Sequence, residues 1–361
     1  ASEHNREPEP SVRAMLSGAI GAALDKLGIR ESAGDIQIER PNDPGRGDLS
    51  SNIAMAAAKR LGGNPRELAG RLKDSIVLDP GFIDRVEVAG PGFLNFAFAK
   101  SWLTNQVEII NTEGRNYGRS EIGRGQRVQV EYVSANPTGP LVIVAARAAA
   151  VGSALVNILR KTGYEVESEY YLNDAGSQVR KLGLSLMTRF MQRIGRDVPF
   201  PEDGYPGGYL VEIAERIPED EGRLWLAKPP DESASSFGEF ALDQIIRWIR
   251  RDLDGFGVVF DNYFRESALH AAGGGIDRML EIFKSGNAVY EDDGALWFRS
   301  TGYGDEKDRV LVRSDGTPTY FLADAAYHLD KFRRGYSRVI DIFGPDHHGH
   351  IARLKAAAAV F

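Results

Sequence analysis

Val128-Gln129-Val130-Glu131-Tyr132-Val133-Ser134-Ala135-Asn136-Pro137-Thr138-Gly139-Pro140 leads straight into the apolar stretch Leu141–Lys161, and from there into Glu165–Leu172. Val128–Val133 has the β-branched and aromatic content of a strand. Leu141–Lys161 reads as a helix, Glu165–Leu172 as a second strand and Ala175–Ile194 as a second helix. A strand–helix–strand succession implies a parallel sheet covered by helices, which makes the fold class α/β. By length alone, Leu141–Leu159 would span a bilayer. It carries Arg147, Gly152, Ser153 and Asn157, however, and an Arg at mid-bilayer costs roughly 3 kcal/mol. The run therefore reads as a buried core helix, and no membrane partner is expected.

Upstream, residues 11–112 read as a small α+β unit. Met15, Ile20, Ala23, Leu24 and Leu27 recur at helical spacing up to Gly28, and Ile36–Ile38 is a short strand. Asp48, Ser50 and Ser51 offer N-caps for a helix from Asn52 to Leu61, which Gly62-Gly63 ends. Pro65 opens another helix, and Arg85–Val88 with Phe93–Phe98 forms a hairpin around Gly90-Pro91-Gly92. Residues 113–126 are a Gly-rich connection, and residues 1–10, charged and Pro-rich, are expected to be disordered.

Downstream, residues 197–290 interrupt the sheet pattern and read as one insertion, containing an amphipathic helix from Phe240 to Leu253. The parallel-sheet pattern then resumes with strands at Ala295–Arg299 and Val310–Arg313, a helix at Tyr320–Phe332 and a buried strand at Val339–Phe343. A last helix begins at His350, and the pattern stops inside it, so truncation is expected.

The composition narrows the function classes. The 361 residues contain no cysteine, which excludes disulfides, a thiol nucleophile and cysteine zinc sites. A net charge of −7 argues against non-specific binding to a nucleic-acid backbone, and no DNA partner is expected. A local basic patch reading a folded RNA stays open. Absent a basic and apolar leader, the reading is cytoplasmic, and with no oligomer seam in sight the default is a monomer.

Three stretches carry candidate chemistry. Glu131–Pro140 follows the first strand, where open α/β sheets bind ligands, and the next helix points its N-terminus there. Asn136 and Thr138 suit a capped strand–helix turn equally well. Gly344-Pro345-Asp346-His347-His348-Gly349-His350 follows the strand at 339–343. His347 and His350 suit one helix face, but no distant partner completes a metal site, and none is assigned. In Thr317–Asp324, Tyr320 and Asp324 share a helix face, and Asp324 stands either as a buried acid needing a partner or as an exposed residue on the helix dipole.

Those stretches occur in this order in arginyl-tRNA synthetases of bacterial type, which the chain resembles from about Arg13 onward. The resemblance is carried by Pro41–Asn52, Val86–Phe98, Val130–Leu141, Glu169–Gly176, Arg309–Asp324 and Gly344–Ala356. It implies an N-terminal α+β domain contacting the corner of tRNA(Arg). It further implies that residues 127–361 are most of a Rossmann-type class I catalytic core, ending before the Lys-Met-Ser-Lys loop and the anticodon-binding domain. It places the arginine pocket at Glu131, Asn136, Tyr320, Asp324 and His347, and the ATP contacts at Pro140, Arg147, Gly344 and Asp346, with Mg accompanying ATP. A guanidinium is a planar fork of donors, so carboxylates suit it.

One departure cuts against activity. Where the family carries His-Val-Gly-His, this chain has Val142-Ile143-Val144-Ala145. The two imidazoles that hydrogen-bond ATP phosphates are missing, and Val144 replaces the glycine that lets adenine approach. Loss of one transition-state donor typically costs about 10²–10³ in rate. No intact catalytic residue is assigned, and the chain alone is expected not to charge tRNA. The rival reading is a non-catalytic regulator that binds arginine or tRNA.

Overall fold

The computed structural model describes residues 11–344 and 349–361. The expected disorder of residues 1–10, and the calls on Asp346 and His347, lie outside the described residues. The chain divides into two compact units between Arg119 and Ser120.

The first unit begins with α1 (Val12–Lys26), whose N-cap Ser11 accepts the Ala14 N–H at 3.2 Å. Then follow α2 (Arg30–Ala33), β1 (Leu49–Ser51), α3 (Ile53–Leu61), α4 (Pro65–Ser75), β2 (Ile83–Ala89), β3 (Phe93–Phe98) and α5 (Lys100–Glu113). Gly62 stops α3 in the left-handed conformation, and Asn64 caps α4 ahead of Pro65. The antiparallel sheet runs β1-β3-β2 and packs Leu94 and Phe96 against Leu16, Ile20, Ile53 and Leu72. Ile36–Ile38 is no strand, and only an isolated bridge from Glu39 to Ser50 forms there. Ser50 and Ser51 lie in β1; the Ser50 hydroxyl donates to Asn95 Oδ1 at 2.8 Å, while the Ser51 hydroxyl accepts the N–H of Ile53, the first residue of α3, at 3.4 Å. Asp48 accepts the Phe98 N–H at 2.8 Å. Met15 is 38% exposed, and its neighbour Leu16 takes the core position.

The second unit is built on β4 (Arg127–Glu131), α6 (Ile143–Lys161), β5 (Glu165–Leu172) and α7 (Ser177–Arg193). Next come α8 (Tyr209–Glu215), α9 (Glu219–Leu226), α10 (Pro230–Gly255), β6 (Asn262–Arg265) and α11 (Gly275–Ser285). The chain continues through β7 (Val289–Asp292), β8 (Ala295–Phe298), β9 (Arg309–Val312), α12 (Tyr320–Arg333), β10 (Arg338–Asp341) and α13 (His350–Ala358). The main sheet is parallel, in the order β10-β4-β5-β6. Strand order reverses at β4, whose chain proceeds to β5 on one side while β10 returns on the other. The crevice beyond the ends of β4 and β10 is therefore a topological switch point, where such sheets bind ligands.

Three expectations need correction. The stretch 197–290 is not one insertion, because β6 lies inside it and pairs in parallel with β5. Ala295–Arg299 and Val310–Arg313 do not continue the main sheet. They supply β8 and β9 of a separate antiparallel sheet, β7-β8-β9. Its first turn, Asp293-Gly294, has φ of 46° and 72°, the two-residue hairpin geometry that Asp-Gly favours. Finally, α6 is not a fully buried helix. Ala145, Ala149, Gly152 and Val156 face the sheet, while Ile143, Val151 and Ile158 are exposed. Gly152 is required there, since a Cβ would fall 2.1 Å from Tyr132 Cγ.

Candidate functional site

The site forms where β4, β5 and β6 end and α12 begins. Glu131 is the last residue of β4, and the chain beyond it kinks sharply: Val133 has φ 68° and Ser134 φ 39°. Two successive side-chain-bearing residues in the left-handed region, one of them β-branched, mark stored strain of the kind held at functional sites. Ser134 uses that geometry twice. Its hydroxyl donates to Glu131 Oε1 at 2.8 Å and accepts the Tyr171 N–H at 3.1 Å, tying the ends of β4 and β5 together.

Three carboxylates face one another across this region. Asp324, one turn into α12, has its pKa raised to about 6. Burial is the main cause, and the negative charges of Glu131 and Glu266 add to it, while His328 and Arg353 pull the other way. Among the described residues no hydrogen-bond donor reaches the Asp324 carboxylate. Glu266 is 4% exposed and sits 3.3 Å from His270 Nε2; the Asn173 amide, suitably turned, donates to it at 3.2 Å. Burial drives the Tyr171 hydroxyl far above its ordinary pKa, and Glu266 and Asp324 push the same way. That phenol is thus a fixed neutral group among the acids. The Tyr320 hydroxyl lies over the segment after β5, 3.8 Å from where a Cβ on Gly176 would stand.

Below these groups, α12 meets the sheet through a buried ionic layer. Lys331, with no exposed surface, places its Nζ 2.5 Å from Glu131 Oε2 and 2.5 Å from Asp341 Oδ1. His328 Nε2 lies 3.1 Å from Asp341 Oδ2, and its Nδ1 lies 2.7 Å from the Asp324 carbonyl. Glu169 accepts from Arg334, Tyr327, Asn262 and Gln129. Burial works to raise the Glu169 carboxyl, but its bonds to Arg334 and Tyr327 outweigh burial and its pKa falls below the ordinary value.

Of the residues assigned from sequence to the arginine pocket, the structure brings Glu131, Asp324 and Tyr320 to one end of the sheet. Asn136 is exposed, with no side-chain contact among the described residues, and His347 lies outside them. Of the ATP positions, Pro140 and Arg147 are exposed, Gly344 is half-buried, and Asp346 lies outside the described residues. Val142, Ile143 and Val144 stand 67%, 85% and 64% exposed around the uncapped N-terminus of α6. A phosphate there would meet free backbone N–H groups but only aliphatic side chains, so these residues do not fit the group. Glu266, Tyr171 and Lys331 escaped the sequence reading. Glu266 was hidden because β6 was absorbed into the insertion, although Val258-Val259-Phe260 just ahead of it has strand character. Lys331 lies seven residues after Asp324, on the same helix face, and that spacing was readable.

The sequence and fold that carry this acidic group match known proteins. The Arginyl tRNA synthetase N terminal domain model matches residues 14–98. The arginine--tRNA ligase of Desulforamulus reducens is 44% identical over 348 residues, which is 96% of this chain and 62% of that protein. That of Bacillus subtilis is 43% identical over 345 residues, 95% of this chain and 62% of that protein. Over nearly its whole length the chain is similar to the arginyl-tRNA synthetase family.

It spans about three fifths of the length of the curated relatives it matches. A crystal structure of a putative arginyl-tRNA synthetase from Campylobacter jejuni superposes with a TM-score of 0.67 at 37% identity, covering 73% of this chain and 57% of that one. The Thermus thermophilus arginyl-tRNA synthetase superposes with a TM-score of 0.60 at 23% identity, over 97% of this chain and 63% of that one, and supports the fold alone. The parallel sheet thus has the Rossmann-type, class I fold of these neighbours.

Proposed function

We propose that this chain holds an L-arginine pocket of the arginine–tRNA ligase type, and that alone it does not charge tRNA(Arg). One observation carries the reading: Glu131, Glu266 and Asp324 converge, and the Asp324 carboxyl is pushed up to about 6 with no donor of the described residues on it. Lys331 offsets Glu131 from the far side, but no cation among the described residues bonds Asp324. A guanidinium supplies a planar fork of donors and a charge that stays protonated, whereas an ammonium satisfies fewer acceptors. Tyr171 and Tyr320 would complete the hydrogen bonding around it.

The ligase reaction would run by attack of the arginine carboxylate on the α-phosphate of ATP with loss of pyrophosphate, followed by attack of the tRNA terminal ribose hydroxyl on the arginyl carbonyl with release of AMP. This needs positioning and charge stabilisation rather than a nucleophilic side chain. The aliphatic tip of α6 lacks those donors, and this specific observation favours the second reading, a non-catalytic arginine- or tRNA-binding regulator. The first unit supports a tRNA contact. Its cavity of about 430 Å³ is lined by Arg40, Asn42, Arg46, Asn52, Phe93 and Asn95, among others. Arginines suit phosphates, and an aromatic with amides suits an unstacked base. A cytoplasmic monomer is the corresponding cellular form.

The test is a calorimetric titration with L-arginine, using L-lysine and citrulline as controls, followed by a charging assay with tRNA(Arg). Binding of arginine with rejection of both controls and no multiple-turnover charging is expected. Equal heats for arginine and citrulline would sink the carboxylate pocket, and sustained charging would overturn the inactivity.

A further inference from the structure

Glu131 and Asp341 are register partners at the ends of β4 and β10, so two carboxylates face the same switch point from adjacent strands. Lys331 enters between them from α12 with both contacts at 2.5 Å and no exposed surface. Burying an ammonium and two carboxylates is costly, and replacing such a group with packed apolar side chains is often neutral or stabilising. Stability is therefore a weak account of this triad. Its location offers a better one, because one carboxylate of the triad is the floor of the proposed arginine pocket. With Oε2 held by Lys331 and Oε1 by Ser134, Glu131 has no rotational freedom left, and its remaining lone pairs are fixed in direction.

We infer that Lys331 is a positioning residue of the pocket: it holds the Glu131 side chain in one orientation, linking it through Asp341 to the start of the segment after β10. The inference rests on the arginine reading given above. Every charged group around the ammonium is consistent with it. Glu131 faces it from β4, Asp341 from β10 and Glu169 from β5, while Tyr327 lies with its ring centroid 4.2 Å away and His328 bonds the far oxygen of Asp341. Asp324 and Glu266 lie on the pocket side of Glu131. Burial works to raise the Asp341 carboxyl and to lower Lys331. The Lys331 and His328 charges outweigh it at Asp341, and the two carboxylates outweigh it at Lys331.

The experiment uses the full chain carrying Lys331→Met, and the double variant Lys331→Met/Asp341→Asn. Arginine titration and ligand-free urea unfolding are both read from pH 5.5 to 8.5, as differences from the unmodified chain so that the titration of Asp324 cancels. Without the ammonium, the two facing carboxylates repel, burial is left to raise the folded pKa of Asp341 above its unfolded value, and a proton substitutes for the lost cation at low pH. The stability deficit of Lys331→Met should therefore grow as pH rises. Its arginine affinity at pH 6 should fall at least tenfold and recover toward pH 8. In the double variant Glu131 is again unopposed, and both profiles should return toward those of the unmodified chain. A loss that is the same at every pH, or a double variant that keeps the profile of Lys331→Met, would reduce Lys331 to a packing residue. Should Lys331→Met fail to fold, the double variant decides, since its unfolding profile must still run parallel to that of the unmodified chain. If the unmodified chain takes up no arginine, the arginine reading fails, while the ligand-free profiles still accept or reject the clamp on Glu131.

Discussion

Asp324 shows how a proposed binding residue costs the empty fold. Its folded pKa, raised to about 6 chiefly by burial, exceeds the unfolded value near 3.9. Between those values the folded state holds more protons than the unfolded one, so stability declines as pH rises through this window and stays lower above it. Asp324→Asn removes that charge. It should stabilise the free chain at pH 7.5 by on the order of 1–3 kcal/mol in urea unfolding. The same change should weaken arginine binding at least tenfold, and in the unmodified chain affinity should drop as pH falls below about 6. Destabilisation by Asp324→Asn would mean that the carboxylate is already satisfied without ligand. At this scale the sequence was partly legible. The four-residue spacing of Tyr320 and Asp324 gave a shared face, and the acid among apolar neighbours asked for a partner. Glu266 and Lys331 were not seen, because their roles depend on partners from distant strands, as with Lys331 and Glu131, 200 residues apart.

Among the elements, α6 separates composition from packing. Its apolar run announced a helix, and its boundaries fall within two residues of the expected Leu141–Lys161. Which residues pack could not be read from a run that is apolar all round, and the fold buries only the face through Ala145, Ala149, Gly152 and Val156. The exposed tip at Val142, Ile143 and Val144 lies on the helix end where the dipole and free N–H groups favour an anion. The triple variant Val142→His/Val144→Gly/Ala145→His should therefore bind ATP at least tenfold more tightly than the unmodified chain, measured by equilibrium dialysis in the presence of Mg. The imidazoles add donors and the glycine opens the backbone. Equal ATP binding by both proteins would show that the aliphatic tip obstructs nothing. The corrections at β6 and at β8 share a cause with α6. Strands of four residues carry too short a pattern to reveal which sheet they join, and the Asp293-Gly294 hairpin signal beside β8 escaped the sequence reading.

On the scale of the whole molecule, the described residues form three hydrophobic cores from separate stretches of chain. The first is closed by residues between Leu16 and Phe96, the core around the parallel sheet draws on residues from Val128 to Phe260, and the third on residues from Leu269 to Ala357. A core assembled from one continuous segment needs no later part of the chain, and domains of this size fold alone. The fragment 11–119 should therefore unfold cooperatively in urea, with a stability of about 5–15 kcal/mol. It should also carry the RNA contact by itself, because the cavity with Arg40, Arg46, Phe93 and Asn95 lies wholly within it. Affinity for tRNA(Arg) should fall as salt rises, since arginine contacts to phosphate release counterions. Arg46→Ala should flatten that salt dependence, removing about one phosphate contact, whereas Phe93→Ala should weaken binding by roughly 1–3 kcal/mol at every salt concentration, as loss of a stacked base does. Arg46 is exposed and ion-paired only to its neighbour Asp43, so its removal leaves the core intact. A folded fragment that ignores tRNA(Arg), or binds it equally with both substitutions, would assign RNA recognition to some other surface.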